Sequence, residues 1–205
     1  MEPQSRSRNP HAREGGCVSG VLCLEGDWYG VEEDSTVKPL LELLRYGIPR
    51  RLPMLHRAIA TREELAFHLR RWRRARRYRL LFLGFHGDPG VVYLDSKQRQ
   101  VVTLDDLAVM IGRGHSGRLV HFSACSTLAV DRRHINRFVR RTGVLGVTGF
   151  AADVDWLRSA AFELLILSKL LRFSPSLRGV RRAERALMKE APALRRELAF
   201  RFVTR

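Results

Sequence analysis

Cysteine is scarce. The 205 residues hold three, at positions 17, 23 and 125. They are too few and too scattered for a disulfide framework. No Cys/His cluster has zinc-ligand spacing, so no metal or other cofactor is expected, and a reducing, cytoplasmic compartment fits. Long apolar runs are missing too. FELLILSKLL at 162–171 is the longest, is broken by Lys169, and is far too short to span a bilayer. No apolar segment follows the opening MEPQSRSRNPHAREGG, so no secretory signal is expected. Acids are outnumbered, 21 against 37 Lys and Arg, for a net charge of +16. Only 4 of those cations are lysine. The balance excludes an acidic scaffold and points to an anionic partner, an acidic protein or nucleic acid.

What is present is a folded composition, 45% apolar and 28% charged. Residues 1–17 are rich in Arg, Ser, Pro and Gly without periodic apolar positions, and read as a disordered basic leader. Residues 18–205 read as one domain. No internal repeat is visible. Strands are expected at VLCLEG (21–26), MLHRAIA (54–60), RLLFLGF (79–85), RLVHFSA (118–124) and VLGVTGF (144–150). VVYL and QVVT (91–103) suit a small hairpin. Helical patterns lie between them. Ser35 or Thr36 is expected to cap the first, Thr61 with Glu64 forms a capping box for the second, and Thr103 caps the third. A last, very basic helix is expected over 177–201. Strands alternating with helices predict an α/β fold, a three-layer α/β/α sandwich around a mostly parallel sheet. In such sheets function collects at the carboxyl ends of the strands.

Two strand ends carry reactive residues. FLGFHGDPG places His86 just past one strand, and VHFSACST places Cys125 just past the next. A thiol needs a base beside it to ionise at neutral pH, and histidine titrates closest to that range. Gly87 lets the backbone approach a substrate carbonyl; its N–H and that of Cys125 would suit an oxyanion hole. Singly, each residue has an ordinary reading: a small buried thiol and a loop histidine. Together, after successive apolar strands, they are harder to dismiss.

The His-Gly and Ala-Cys-Ser-Thr motifs resemble those of caspase-like (clan CD) cysteine peptidases. The similarity is greatest to bacterial CHAT-type domains and to small bacterial caspase-like proteins, and runs from about Val21 to Phe173. It implies a caspase-like fold, Cys125 as nucleophile, His86 as general acid/base, an acyl-enzyme and cleavage of protein substrates after one selected side chain. Too few residues separate Cys125 from the next strand for the cleavable linker of animal caspases. CHAT domains often have a fused sensor or repeat domain; none is expected here, a departure from the family, so control would come from a separate activator or sensor protein, a ligand or expression.

The loop AADVDW lies where that family builds its specificity pocket. Asp153 or Asp155 would pair with a basic substrate residue, with Trp156 as a wall. The ordinary reading is that these acids cap the following helix. Glu25, Asp27 and Trp28, at the first strand's end, either line the cleft or form a solvated loop; the two acids could instead hold a metal, as in nucleotide-processing sheets. His121 lies mid-strand and reads as a satisfied core histidine; His115 reads as inert in its Gly-rich turn. RRWRRARRYR (70–79) is dominated by arginine around an apolar stripe of Leu65, Leu69 and Trp72. It suits either phosphate contact or a solvated face; residues 178–185 and 195–205 pose the same choice. The leading expectation is a cysteine endopeptidase. The rival is a catalytically silent adaptor of the same fold that binds its anionic partner through these arginines.

Overall fold

A computed structural model of the chain describes residues 20–30, 35–48, 52–172 and 174–205. The expected basic leader, 1–17, lies outside the described residues. The elements follow in order β1 (Gly20–Glu25), α1 (Lys38–Gly47), β2 (Met54–Ala58), α2 (Arg62–Arg74), β3 (Tyr78–Gly84), β4 (His86–Asp88), β5 (Val91–Tyr93), β6 (Val101–Thr103), α3 (Leu104–Ile111), β7 (Leu119–Ser123), α4 (Arg132–Thr142), β8 (Gly146–Phe150), α5 (Trp156–Arg172), α6 (Leu177–Glu190), α7 (Pro192–Glu197) and β9 (Phe200–Thr204).

The main sheet has six strands in the order β2-β1-β3-β7-β8-β9. The first five are parallel, and β9 closes the edge antiparallel to β8. Period-two alternation divides each strand between two cores. Leu22, Leu24, Leu81 and Leu83 pack on the side of α2, α3 and α4. Val21, Cys23, Leu80 and Phe82 pack on the side of α1, α5 and α6. Burying both faces explains why these strands read as unbroken apolar runs rather than alternating ones. Each buried Leu or Phe contributes roughly 2 kcal/mol.

The caps at Thr61 and Thr103 form with Glu64 and Asp106 as reciprocal partners. The first helix differs. Val37 is its N-cap and makes no side-chain cap bond, while the backbone N–H of Lys38 donates to Thr36 Oγ1 at 3.1 Å.

The expected single helix over 177–201 is instead α6, α7 and β9. Pro192 has no N–H to continue α6, so it starts a new helix at its first position. FRFVT then alternates and pairs Phe200–Thr204 with Phe150–Gly146.

The hairpin of β5 and β6 gains a third antiparallel strand, β4, which pairs His86 with Tyr93 and Gly87 with Val92. His86 therefore sits in a second small sheet rather than in a loop. No helix among the described residues is long and apolar enough to cross a membrane.

Candidate active site

The register of the main sheet brings the two motifs together. β3 and β7 are paired up to Gly84 and Ser123. The Phe85 N–H donates to the Ser123 carbonyl at 3.3 Å. His86 and Cys125 each lie two residues beyond that last pair, at the same carboxyl edge.

Gly87 and Thr127 lock the two segments against each other. A Cβ on Gly87 would stand 2.2 Å from Thr127 Oγ1 and 2.7 Å from the Cys125 carbonyl oxygen, so no side chain fits there. Thr127 Oγ1 lies 3.0 Å from the Val91 carbonyl and 3.2 Å from that of Cys125, and Gly90 N–H donates to the Thr127 carbonyl at 3.1 Å. Ser126 takes φ +50°, a backbone state that side-chain-bearing residues rarely adopt and that clusters at functional sites. Its hydroxyl donates to Asp153 Oδ1 at 2.8 Å. Ser126 and Thr127 thus tie the Cys125 turn to its neighbours, and Asp131 caps the following helix.

His86 Nε2 lies 2.7 Å from the Trp28 carbonyl oxygen. A carbonyl only accepts, so Nε2 carries the hydrogen and the neutral ring keeps its lone pair on Nδ1. The rings of Trp28 and Tyr29 stand edge-on to the imidazole at 5.1 and 6.0 Å. The thiol is oriented differently: Cys125 Sγ lies 4.0 Å from the Val154 carbonyl oxygen, a long, weak contact. Burial pushes the Cys125 thiol above its ordinary value, and the charges of Asp153 and Asp88 add to this. In this state the sulfur is protonated at neutral pH.

Glu25 does not line the cleft. It is buried, 3% exposed, and binds four groups of the protein. Trp28 Nε1 and the Val37 N–H donate to its Oε1, both at 2.6 Å, while Thr36 Oγ1 at 2.7 Å and His56 Nε2 bond its Oε2. Burial alone would raise its carboxyl, but the bonds from His56, Trp28, Thr36 and Val37 outweigh burial and hold it below its ordinary value. Its work is to anchor the Trp28 turn, α1 and β2 together. Asp27 is likewise occupied, by the Gly30 N–H at 2.7 Å and Ser96 Oγ at 2.8 Å. With their oxygens taken by protein donors, neither acid is placed as a metal ligand.

Asp155 is the helix cap of the ordinary reading: its carboxylate accepts from the Arg158 N–H at 2.9 Å at the start of α5. Asp153 stays at the Cys125 turn, exposed beside Ser126. Trp156 is 43% exposed and stands edge-on to Trp28 at 5.2 Å, which puts an aromatic wall beside His86. His121 is fully buried between Thr148 Oγ1 at 2.8 Å and Glu163 Oε1 at 2.9 Å, a core histidine.

Sequence reasoning missed two participants. Asp88 lies close enough to Cys125 to act on its charge, although it belongs to the same HGDPG motif. The Trp28 carbonyl is a backbone group on a distant turn and leaves no signal in side-chain identity.

The chain belongs to a family of unknown function (DUF6642), whose model matches residues 19–203. No curated protein matches it. A caspase-1 crystal structure from Spodoptera frugiperda is similar at a TM-score of 0.43 and 10% identity, covering 84% of this chain and 76% of that one. The fold described above rests on this chain's own strand order.

Proposed function

We propose that this protein is a cysteine endopeptidase with Cys125 as nucleophile and His86 as general base. One observation carries the reading: the register sets both residues two positions beyond a paired strand end, with the imidazole held on the Trp28 carbonyl so that Nδ1 is the free base. The caspase-like resemblance of the same two motifs supports it.

The chemistry follows from those groups. Nδ1 of His86 takes the Cys125 proton as sulfur attacks the scissile carbonyl carbon. The oxyanion is held by the N–H groups of Gly87 and Cys125. The carbon–nitrogen bond then breaks, and His86 returns its proton to the leaving amine. Water, deprotonated by His86, cleaves the thioester and releases the acid and free thiol. The Trp28 carbonyl stabilises the imidazolium in both halves. Asp153 and Asp88 place negative charge beside the nucleophile, and Trp156 supplies an aromatic wall. A basic substrate residue before the scissile bond suits that surrounding. Asp155, spent on its helix, has no part in this choice.

Activity on arginyl and leucyl peptide substrates tests the reading. Turnover abolished by Cys125→Ala and by His86→Ala, with both variants folded, is expected. Retained turnover in Cys125→Ala overturns it.

The thiol turned to the Val154 carbonyl favours a second reading, a silent adaptor of the same fold. It is distinguished by partner binding that falls with salt and is indifferent to Cys125.

A further inference from the structure

The 112–118 loop joins α3 to β7 at the amino edge of the sheet, the end opposite Cys125. Gly112, Gly114 and Gly117 all take positive φ there, which lets the chain turn tightly. Beside the loop opens a basin of about 500 Å³ lined by Arg113, His115, Ser116, Arg140 and Arg205. That volume suits a small ligand. The three arginines come from separate segments, the loop, α4 and the end of β9, yet converge on one concavity. All three are exposed. Among the described residues, the ion pairs engage none of them.

More positive charge stands behind the rim. The Arg73 guanidinium comes within 4.0 Å of where a Cβ on Gly112 would lie, and that of Arg79 within 3.1 Å of one on Gly117. Arg118 is buried under the loop, 6% exposed. It donates to the Trp72 and Arg73 carbonyls at 2.5 and 3.1 Å and lies 4.9 Å over the Trp72 ring. Burial lowers its guanidinium from the ordinary value, and the charges of Arg79 and Arg76 lower it further. His115 stacks on Trp72 at 4.6 Å and contacts Arg118 through Nδ1 at 3.3 Å. Burial lowers its ring as well, so it adds no charge at neutral pH. The acids of α3 are committed elsewhere: Asp105 to Arg141 and His134, Asp106 to Arg62. Like charges gathered round a concavity cost free energy that a bound anion recovers.

We infer that this basin binds a small polyanion, a molecule carrying several phosphate groups close together, through Arg113, Arg140 and Arg205. Convergence on one concavity fits a compact ligand better than a nucleic-acid strand, which would follow a stripe. The inference stands apart from the peptidase reading, since the basin shares no residue with the Cys125 edge.

Calorimetric titration of the full chain with inorganic tripolyphosphate tests it. The expected result is one site, weakened at least tenfold in Arg113→Ala/Arg140→Ala. The control Arg70→Ala/Arg74→Ala removes equal charge from the exposed face of α2 and changes affinity less than twofold. Thermal melting without ligand guards against misfolding, and the basin variant is expected to melt no lower than the control at low salt, because repulsion is relieved. Arg205→Gln supplies a second, single-site variant with the same expected direction. Equal weakening by both double variants overturns the inference, as does failure to bind tripolyphosphate. Tighter binding of a single-stranded oligonucleotide that survives the basin substitutions overturns it too.

Discussion

At the scale of single residues, the two strand-end motifs act as one unit because Gly87 has no side chain. A Cβ there would overlap Thr127 Oγ1 and the Cys125 carbonyl. Gly87→Ala is therefore expected to push β4 off the nucleophile turn and to destabilise the fold by about 1–3 kcal/mol, the usual cost of overpacking. Loss of labelling at Cys125 before loss of the fold would check it by mass spectrometry and denaturant melts.

The thiols give a pH prediction. Burial raises Cys23 well above its ordinary value of 9.0, and the charges of Glu25 and Glu163 add to this. A raised folded value favours the neutral thiol in the folded state. That contribution is complete below pH 9 and is lost as pH rises further. Denaturant melts across this range should show the wild type losing stability faster than Cys23→Ala. Parallel losses would contradict it.

At the scale of elements, Glu25 is the knot that ties β1 to the Trp28 turn, α1 and β2, and so fixes the carbonyl that orients His86. Glu25→Ala leaves the buried donors of Trp28 and Val37 without an acceptor, and should cost several kcal/mol, roughly 2–5. Its depressed carboxyl adds an acid limb. The contribution is present above the ordinary value of 4.5 and is lost as pH falls through the lower folded value. Glu25→Gln should lack that limb in acid denaturation. On the other face, Glu163 and His121 tie α5 to β7. Glu163→Ala leaves a buried ring nitrogen of His121 without its partner and should cost about 1–3 kcal/mol, whereas Leu at both positions should cost less. A double-mutant cycle in denaturant reads the difference.

The elements most legible in the sequence were those with a local signature. The strands show as apolar runs because both faces are buried, and the caps at Thr61 and Thr103 are spelled out by residues three apart. The placement of His86 and Cys125 just beyond two strand ends was legible because the apolar runs before them stop there. What was missed depends on distant partners. β9 is a strand only because β8 offers it an edge, β4 only because β5 lies across from it, and Trp28 enters the site through its carbonyl. Glu25 could not be told from a cleft acid until its donors were in place.

At the scale of the whole molecule, a net charge of +16 sets the electrostatics. Self-repulsion falls as the screening length drops from about 30 Å at 0.01 M salt to about 10 Å at 0.1 M. The free protein is therefore expected to melt higher as salt is added across that range, and tripolyphosphate should raise it at constant ionic strength. No salt response would mean that the excess arginines are already compensated within the chain. The two ends of the sheet also divide the chemistry, with the acids Asp88 and Asp153 beside Cys125 and arginines round the opposite basin.

In the proposed peptidase, His86 activates Cys125. Peptide probes with a thiol-directed warhead, carrying Arg, Lys, Asp or Leu next to it, test it most directly when the adduct is mapped by mass spectrometry at neutral pH. Rapid labelling of Cys125, fastest with the basic probes, and loss of that rate in His86→Ala are expected. Labelling of Cys125 no faster than that of Cys23, or a rate unchanged by His86→Ala, would contradict it.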